Sequence, residues 1–223
     1  MGNLLKFDLN KISKLCNSHF FVETGTFEGD TAYYAYKSLV LDKESKIEKL
    51  WTIEYDKLYA DAAYRRFKNF EKIEVVNNDS IQGLKYVCAN CNSNAIFWLD
   101  AHFIGADSGR VSYKNDENLQ TRLPLEWELQ IIHKRAEIYQ DVIFIDDVRI
   151  YEDGPFENGT FDDAMKSSNS CVRRVDISPY NTINDIIRPF STTHDIYKIY
   201  DHQGYIIMLP KNKIQTLAEI LWS

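Results

Sequence analysis

Apolar and polar positions along this chain fall into blocks of two kinds. Runs of β-branched, aromatic and aliphatic residues at 19–23, 50–54, 73–77, 95–100 and 142–146 are short and read as strands. The fourth and fifth are nearly unbroken, the pattern of parallel strands covered on both faces. Between the strands, apolar positions recur at helical spacing over about 29–40, 56–69, 80–89 and 123–139. Asp56 and Ser80 are N-cap residue types, and Pro124 sits where a first-turn proline is tolerated. Leu4, Leu5, Phe7, Leu9, Ile12 and Leu15 predict a short amphipathic helix ahead of the first strand. Beyond the fifth, 196–200 and 205–209 read as a β-hairpin with Gly204 in its turn, and about 214–222 as a closing amphipathic helix.

Strands alternating with helices predict an α/β fold with a parallel sheet and right-handed crossovers. The terminal hairpin makes the sheet seven-stranded with one antiparallel strand. No repeat or linker divides the chain, so 1–223 reads as one domain. Two stretches look inserted, about 101–122 and 151–179. Both follow C-terminal ends of strands, the edge where open α/β sheets bind ligands, and suit a lid and substrate selection.

Composition narrows the class. A hydrophobic share of 44% with only nine Gly and five Pro excludes disorder and collagen-like repeats. No apolar run approaches the roughly 20 residues of a membrane span, and residues 1–10 lack a signal-peptide profile. A net charge of −7 without a Lys/Arg block argues against wrapping nucleic acid. Four Cys make no disulfide scaffold and point to a reducing compartment. The expectation is a cytoplasmic enzyme acting on a small molecule, with self-association left open.

Acids stand at or just past the ends of all five strands: Glu23, Glu54, Asp79, Asp100 and the pair Asp146–Asp147. One such acid commonly caps the next helix, but five on one sheet edge suit a cation and the hydroxyl or amino groups of a ligand. The first turn, Glu23-Thr24-Gly25-Thr26 on to Gly29 and Thr31, has neither dinucleotide G-x-G-x-x-G nor P-loop Gly-Lys spacing. It is equally a plain strand–turn–helix or a ligand loop. Glu54, some thirty residues on, suits a bidentate grip on ribose hydroxyls, with Tyr55 as a wall for an adenine. Asp79 and Ser80 either meet the adenine edge or simply cap a helix.

Taken in order, E-x-G-x-x-x-G-x-T (23–31), T-I-E-Y (52–55), N-D-S (78–80), F-W-L-D-A-H (97–102) and I-F-I-D-D (143–147) resemble class I S-adenosylmethionine-dependent methyltransferases. They look most like the divalent-metal O-methyltransferases, the catechol O-methyltransferase-like group and its macrocin-type sugar-modifying relatives. The resemblance implies a Rossmann-like sheet with helices on both faces. It implies that Glu23, Gly25 and Thr31 surround the methionine part of the cofactor, Glu54 the ribose, and Asp79 with Ser80 the adenine. It also implies that Asp100, Asp146 and Asp147 bind a divalent cation, with Mg²⁺ suited to an all-carboxylate set.

The catechol-type enzymes carry a lysine base three residues after the first metal aspartate. Here that position is Phe103, which argues against a phenolic acceptor. The sugar-modifying relatives have a proton acceptor two residues after it, here His102, and an imidazole titrates near neutrality. The resulting expectation is methyl transfer to a hydroxyl of a saccharide or glycosylated small molecule. A metal-dependent nucleotide-sugar glycosyltransferase and a cofactor-binding module without turnover remain alternatives. Phe103, Tyr113, Tyr151, Phe156 and Phe161 either stack on a sugar or aglycone or pin the inserts. Cys88-Ala-Asn-Cys91 lacks a second pair for zinc, and Tyr33 with Lys37 spells a dehydrogenase Y-x-x-x-K only by helical coincidence.

Overall fold

A computed structural model describes residues 4–102, 118–168 and 171–211. The expected helix at 214–222, Phe103, Tyr113 and most of the first insert lie outside the described residues.

One seven-stranded sheet organises the chain. Its strands are β1 (Phe20–Thr24), β2 (Lys49–Glu54), β3 (Ile73–Asn77), β4 (Ala95–Leu99), β5 (Val142–Ile145), β6 (His194–Ile199) and β7 (Tyr205–Pro210), in the order β3-β2-β1-β4-β5-β7-β6. The first five run parallel, and β7 inserts antiparallel between β5 and β6. The sheet is thus the Rossmann-like α/β arrangement expected. The helices are α1 (Leu9–Cys16), α2 (Asp30–Ala35, continued as a π turn over Tyr36–Val40), α3 (Lys57–Phe67), α4 (Ser80–Asn90), α5 (Leu119–Arg122), α6 (Leu125–His133), α7 (Phe161–Ser167) and α8 (Ile183–Ile187).

Strand alternation sends side chains to two cores. Val22, Phe97 and Ile143 pack with Leu84 and Val87 of α4 and Leu129 of α6. Phe21, Trp98 and Phe144 pack on the other face with Phe7, Ile12 and Leu39. Each such side chain taken fully from water contributes roughly 1.5–3 kcal/mol, so the central strands are apolar on both faces. Among the described residues no helix is long and apolar enough to cross a membrane.

Two local readings need correction. The cap of α4 is Asp79, whose carboxylate accepts from the Gln82 N–H at 2.8 Å, and Ser80 is the first helical residue. The helix expected over 123–139 ends at His133 and continues as tight turns. There Arg135 is drawn inward to Asp141 (Nε to Oδ2, 2.9 Å) and to the carbonyls of Cys91 and Ser93. Within the stretch 151–179, Tyr151, Phe156 and Phe161 are buried in the core, which favours pinning over sugar stacking for these three.

The Arg135–Asp141 pair ties the end of α6 to the start of β4, because Asp141 also accepts from the Ala95 N–H at 2.8 Å. Its side chains are 6% and 1% exposed. Asp141→Ala strands a buried guanidinium and should lower the unfolding free energy by about 3–5 kcal/mol, read by chemical denaturation.

Candidate active site

The carboxyl ends of β1, β2, β4 and β5 form one edge, and its geometry starts at Gly25. This residue has φ +85°, and a Cβ there would sit 2.7 Å from the Asp100 carbonyl oxygen, so only glycine lets the two strand ends meet. Phe27 follows with φ +48°, a backbone state uncommon for a non-glycine residue, and Gly29 turns the chain into α2. Glu54 holds this loop. Its Oε2 accepts from the Phe27 N–H at 2.8 Å and its Oε1 from the Asp56 N–H at 2.7 Å. Both carboxylate oxygens of Glu54 are thus engaged by backbone N–H groups at the end of β2. Tyr55 is half exposed beside it.

Glu23 is buried at the end of β1 and accepts from the Thr52 hydroxyl, which also shares a 2.6 Å bond with Thr26. Burial, then the charges of Asp100 and Glu54, push its carboxyl up to about 8 despite the hydroxyl donors Thr52 and Thr31. Thr24, fully buried, offers its hydroxyl oxygen to the Asp100 N–H at 3.3 Å.

The acids after β4 and β5 meet here. Asp100, His102 and Asp147 each bring a potential ligand atom within 4.8 Å of the others. His102 Nε2 lies 2.5 Å from Asp147 Oδ2. Asp147 adopts φ 53°, a left-handed state that aspartate tolerates better than most residues, and this turns it away from the strand's alternation. Burial, then the charge of Asp147, holds Asp100 up at about 7. Asp146 is raised well above the usual carboxylate range, by burial and then by Asp100 and Asp147. Its Oδ1 accepts from the Asp147 N–H at 2.8 Å, and its buried Oδ2 has no hydrogen-bond partner among the described residues. Asp146 borders the same small space as Asp100 and His102, next to the three whose ligand atoms approach within 4.8 Å. Two carboxylates and an imidazole suit a divalent cation, Mn²⁺ or Zn²⁺ as well as Mg²⁺, and a cation would offset the repulsion between these acids.

Two residues escaped the sequence reading. Glu128 of α6 is 1% exposed and sits near the hydroxyls of Ser80 and Thr24, with burial lifting it to about 7. Its signal was there, since it shares a helical face with Leu125, Leu129 and Ile132. Gln203, in the turn between β6 and β7, lies 3.2 Å from Asp147 Oδ2 when its amide nitrogen faces that carboxylate. No local pattern marks it. Burial lifts the Cys88 and Cys91 thiols to about 11 and 12, which disfavours the reactive thiolate.

No protein-family model and no curated protein matches the sequence. Solved structures do match the fold. An S-adenosylhomocysteine-bound methyltransferase from Podospora anserina aligns over 92% of this chain and 76% of its own, with TM-score 0.55 and 13% identity. A Staphylococcus aureus protein, provisionally assigned as a caffeoyl-CoA O-methyltransferase, aligns over 91% and 80%, with TM-score 0.53 and 10% identity. The fold is that of the class I methyltransferases.

The raised carboxyl of Glu23 has a thermodynamic signature. Between its ordinary value near 4.5 and about 8, the unfolded chain has lost this proton and the folded chain keeps it. Stability therefore falls as pH rises through that window, by about 1.4 kcal/mol per pH unit for one group. Glu23→Gln mimics the neutral acid and should gain on the parent by roughly this slope from pH 5 to 8 in denaturation titrations.

Proposed function

We propose that this protein is an S-adenosylmethionine-dependent O-methyltransferase of a single domain, acting on a hydroxyl of a saccharide or glycosylated small molecule with a divalent cation. The observation that carries the reading is the convergence of Asp100, His102 and Asp147 beside the Gly25 turn, on a fold shared with an S-adenosylhomocysteine-bound methyltransferase. When bound, S-adenosylmethionine supplies an electrophilic methyl group and the cation lowers the barrier to ionising a hydroxyl.

The chain's own residues do the rest. Glu54, fixed by two backbone N–H groups, accepts from the ribose hydroxyls. Glu23, Thr24, Thr26 and Thr31 border the methionine end, and Tyr55, Asp79 and Ser80 the adenine end. Asp100 and Asp147 would hold the cation. His102 takes the proton of the acceptor hydroxyl, while Asp147 orients the ring and stabilises the imidazolium that forms. A second reading has a specific observation behind it: His102 is itself within ligand distance of the two carboxylates, and as a ligand it would not be the base. A nucleotide-sugar glycosyltransferase is disfavoured by the methyltransferase order of the sheet.

Two measurements test this. Calorimetry should show S-adenosylhomocysteine binding weakened by about 1.5–3 kcal/mol in Glu54→Ala, and a parent that binds none at millimolar ligand would sink the class. His102→Ala should lower kcat by roughly 10²–10⁴-fold while cation affinity persists. Lost cation affinity in that variant would instead make His102 a ligand.

A further inference from the structure

One residue on the buried face of α6 is out of keeping with its neighbours. Leu125, Leu129 and Ile132 are buried there, and so is Glu128, at 1% exposure. An apolar side chain would fill that position with no polar group to desolvate, whereas a buried carboxylate costs stability unless it is well partnered. Glu128 is poorly partnered. Among the described residues no cationic group pairs with it, and its Oε1 has no hydrogen-bond partner. What faces its carboxyl is a pair of hydroxyl donors, Ser80 and Thr24. A local choice that works against stability belongs where a site needs it.

Both hydroxyls stand at the candidate site. Ser80 is the first residue of α4. Thr24 ends β1, and its hydroxyl and carbonyl oxygens share the Asp100 N–H at 3.3 and 3.2 Å. A hydroxyl has a single proton to give. When Thr24 gives it to Glu128, the lone pairs of the same oxygen are left for the Asp100 N–H. Glu128 also borders the small space lined by Asp100, His102 and Asp146. One carboxylate on α6 thus reaches the start of α4, the end of β1 and, through Thr24, the backbone of Asp100. We propose that Glu128 is a positioning residue: it holds Ser80 for the cofactor and, through Thr24, sets Asp100 for the cation. This rests on the methyltransferase reading and deepens it, by naming the group that fixes the two halves of the site relative to each other.

Reach and charge can be separated at this position. Glu128→Gln keeps an acceptor oxygen at the same reach and removes the charge. Glu128→Asp keeps the charge and withdraws it by one methylene. Mn²⁺ affinity by electron paramagnetic resonance and S-adenosylhomocysteine affinity by calorimetry are measured on the full chain, with folding checked by circular dichroism. Glu128→Gln should stay within about twofold of the parent for both ligands. Glu128→Asp should weaken each by about three- to tenfold, the scale of one lost hydrogen bond. Thr24→Val should weaken Mn²⁺ by a similar factor, and its loss should not add to that of Glu128→Asp, because both act through one contact. Should Glu128→Asp fail to fold, Glu128→Met, which suits the apolar stripe, carries the same expectations. Parental affinities in folded Glu128→Asp overturn the inference and leave the methyltransferase reading standing. So do losses in Glu128→Gln as large as those in Glu128→Asp, or losses that add with Thr24→Val. A parent that binds S-adenosylhomocysteine and no Mn²⁺ overturns the inference and the cation with it. A parent that binds no S-adenosylhomocysteine overturns both the inference and the class.

Discussion

Carboxylates that cannot all be charged together govern the working edge of this sheet. Two unit charges about 4 Å apart repel by roughly 4 kcal/mol at the effective dielectric of a protein, and more as water is excluded. Glu23, Asp146 and Asp147 are buried there, with Asp100 between them. Each is driven toward its neutral form or toward a positive partner. The apolar strands that carry them create this condition, since they exclude the water that would otherwise screen the charges. The threonine hydroxyls around Glu23 soften the repulsion without removing it. A sulfonium cofactor and a metal cation are the kinds of ligand for which such an edge is suited.

The backbone decides which acid serves which neighbour. Asp146 borders both the α2 side and the space beside Asp100 and His102, and one left-handed residue directs Asp147 to His102. The hairpin turn then reaches in: the Val148 and Arg149 N–H groups donate to the carbonyls of Gly204 and Gln203 at 3.2 and 3.1 Å. A loop that would otherwise be held only by its own turn is thereby fixed to the sheet.

The strands were legible because their signal is local: unbroken apolar runs such as 95–99 and 142–145 have few other uses in a chain of this length. The resemblance supplied the grouping of strand-end acids, and the geometry keeps Asp100, His102 and Asp147 together. What escaped depended on long-range contact or on dihedral angles. Alternation predicts opposite faces for Asp146 and Asp147, yet the sign of φ at Asp147 cannot be read from neighbours. Gln203 meets Asp147 across 56 positions of sequence. The shortened α6 reflects a guanidinium bonded to carbonyls more than forty residues away. Glu128 alone was readable and passed over, an acid on an apolar stripe.

The position of β7 also bears on how the chain is made. β1 finds its partner β4 only when Phe20 can meet Ala95, and β5 stays an open edge until Met208 reaches Ile143. On the ribosome, then, the first five strands emerge with the buried acids already present and one face of β5 unpaired. The edge carrying Asp146 and Asp147 is closed last, by the final described strand. Such late, non-local closure is slow and leaves an apolar strand edge open to pairing with other chains, so this protein's yield in cells should depend on chaperone capacity during synthesis.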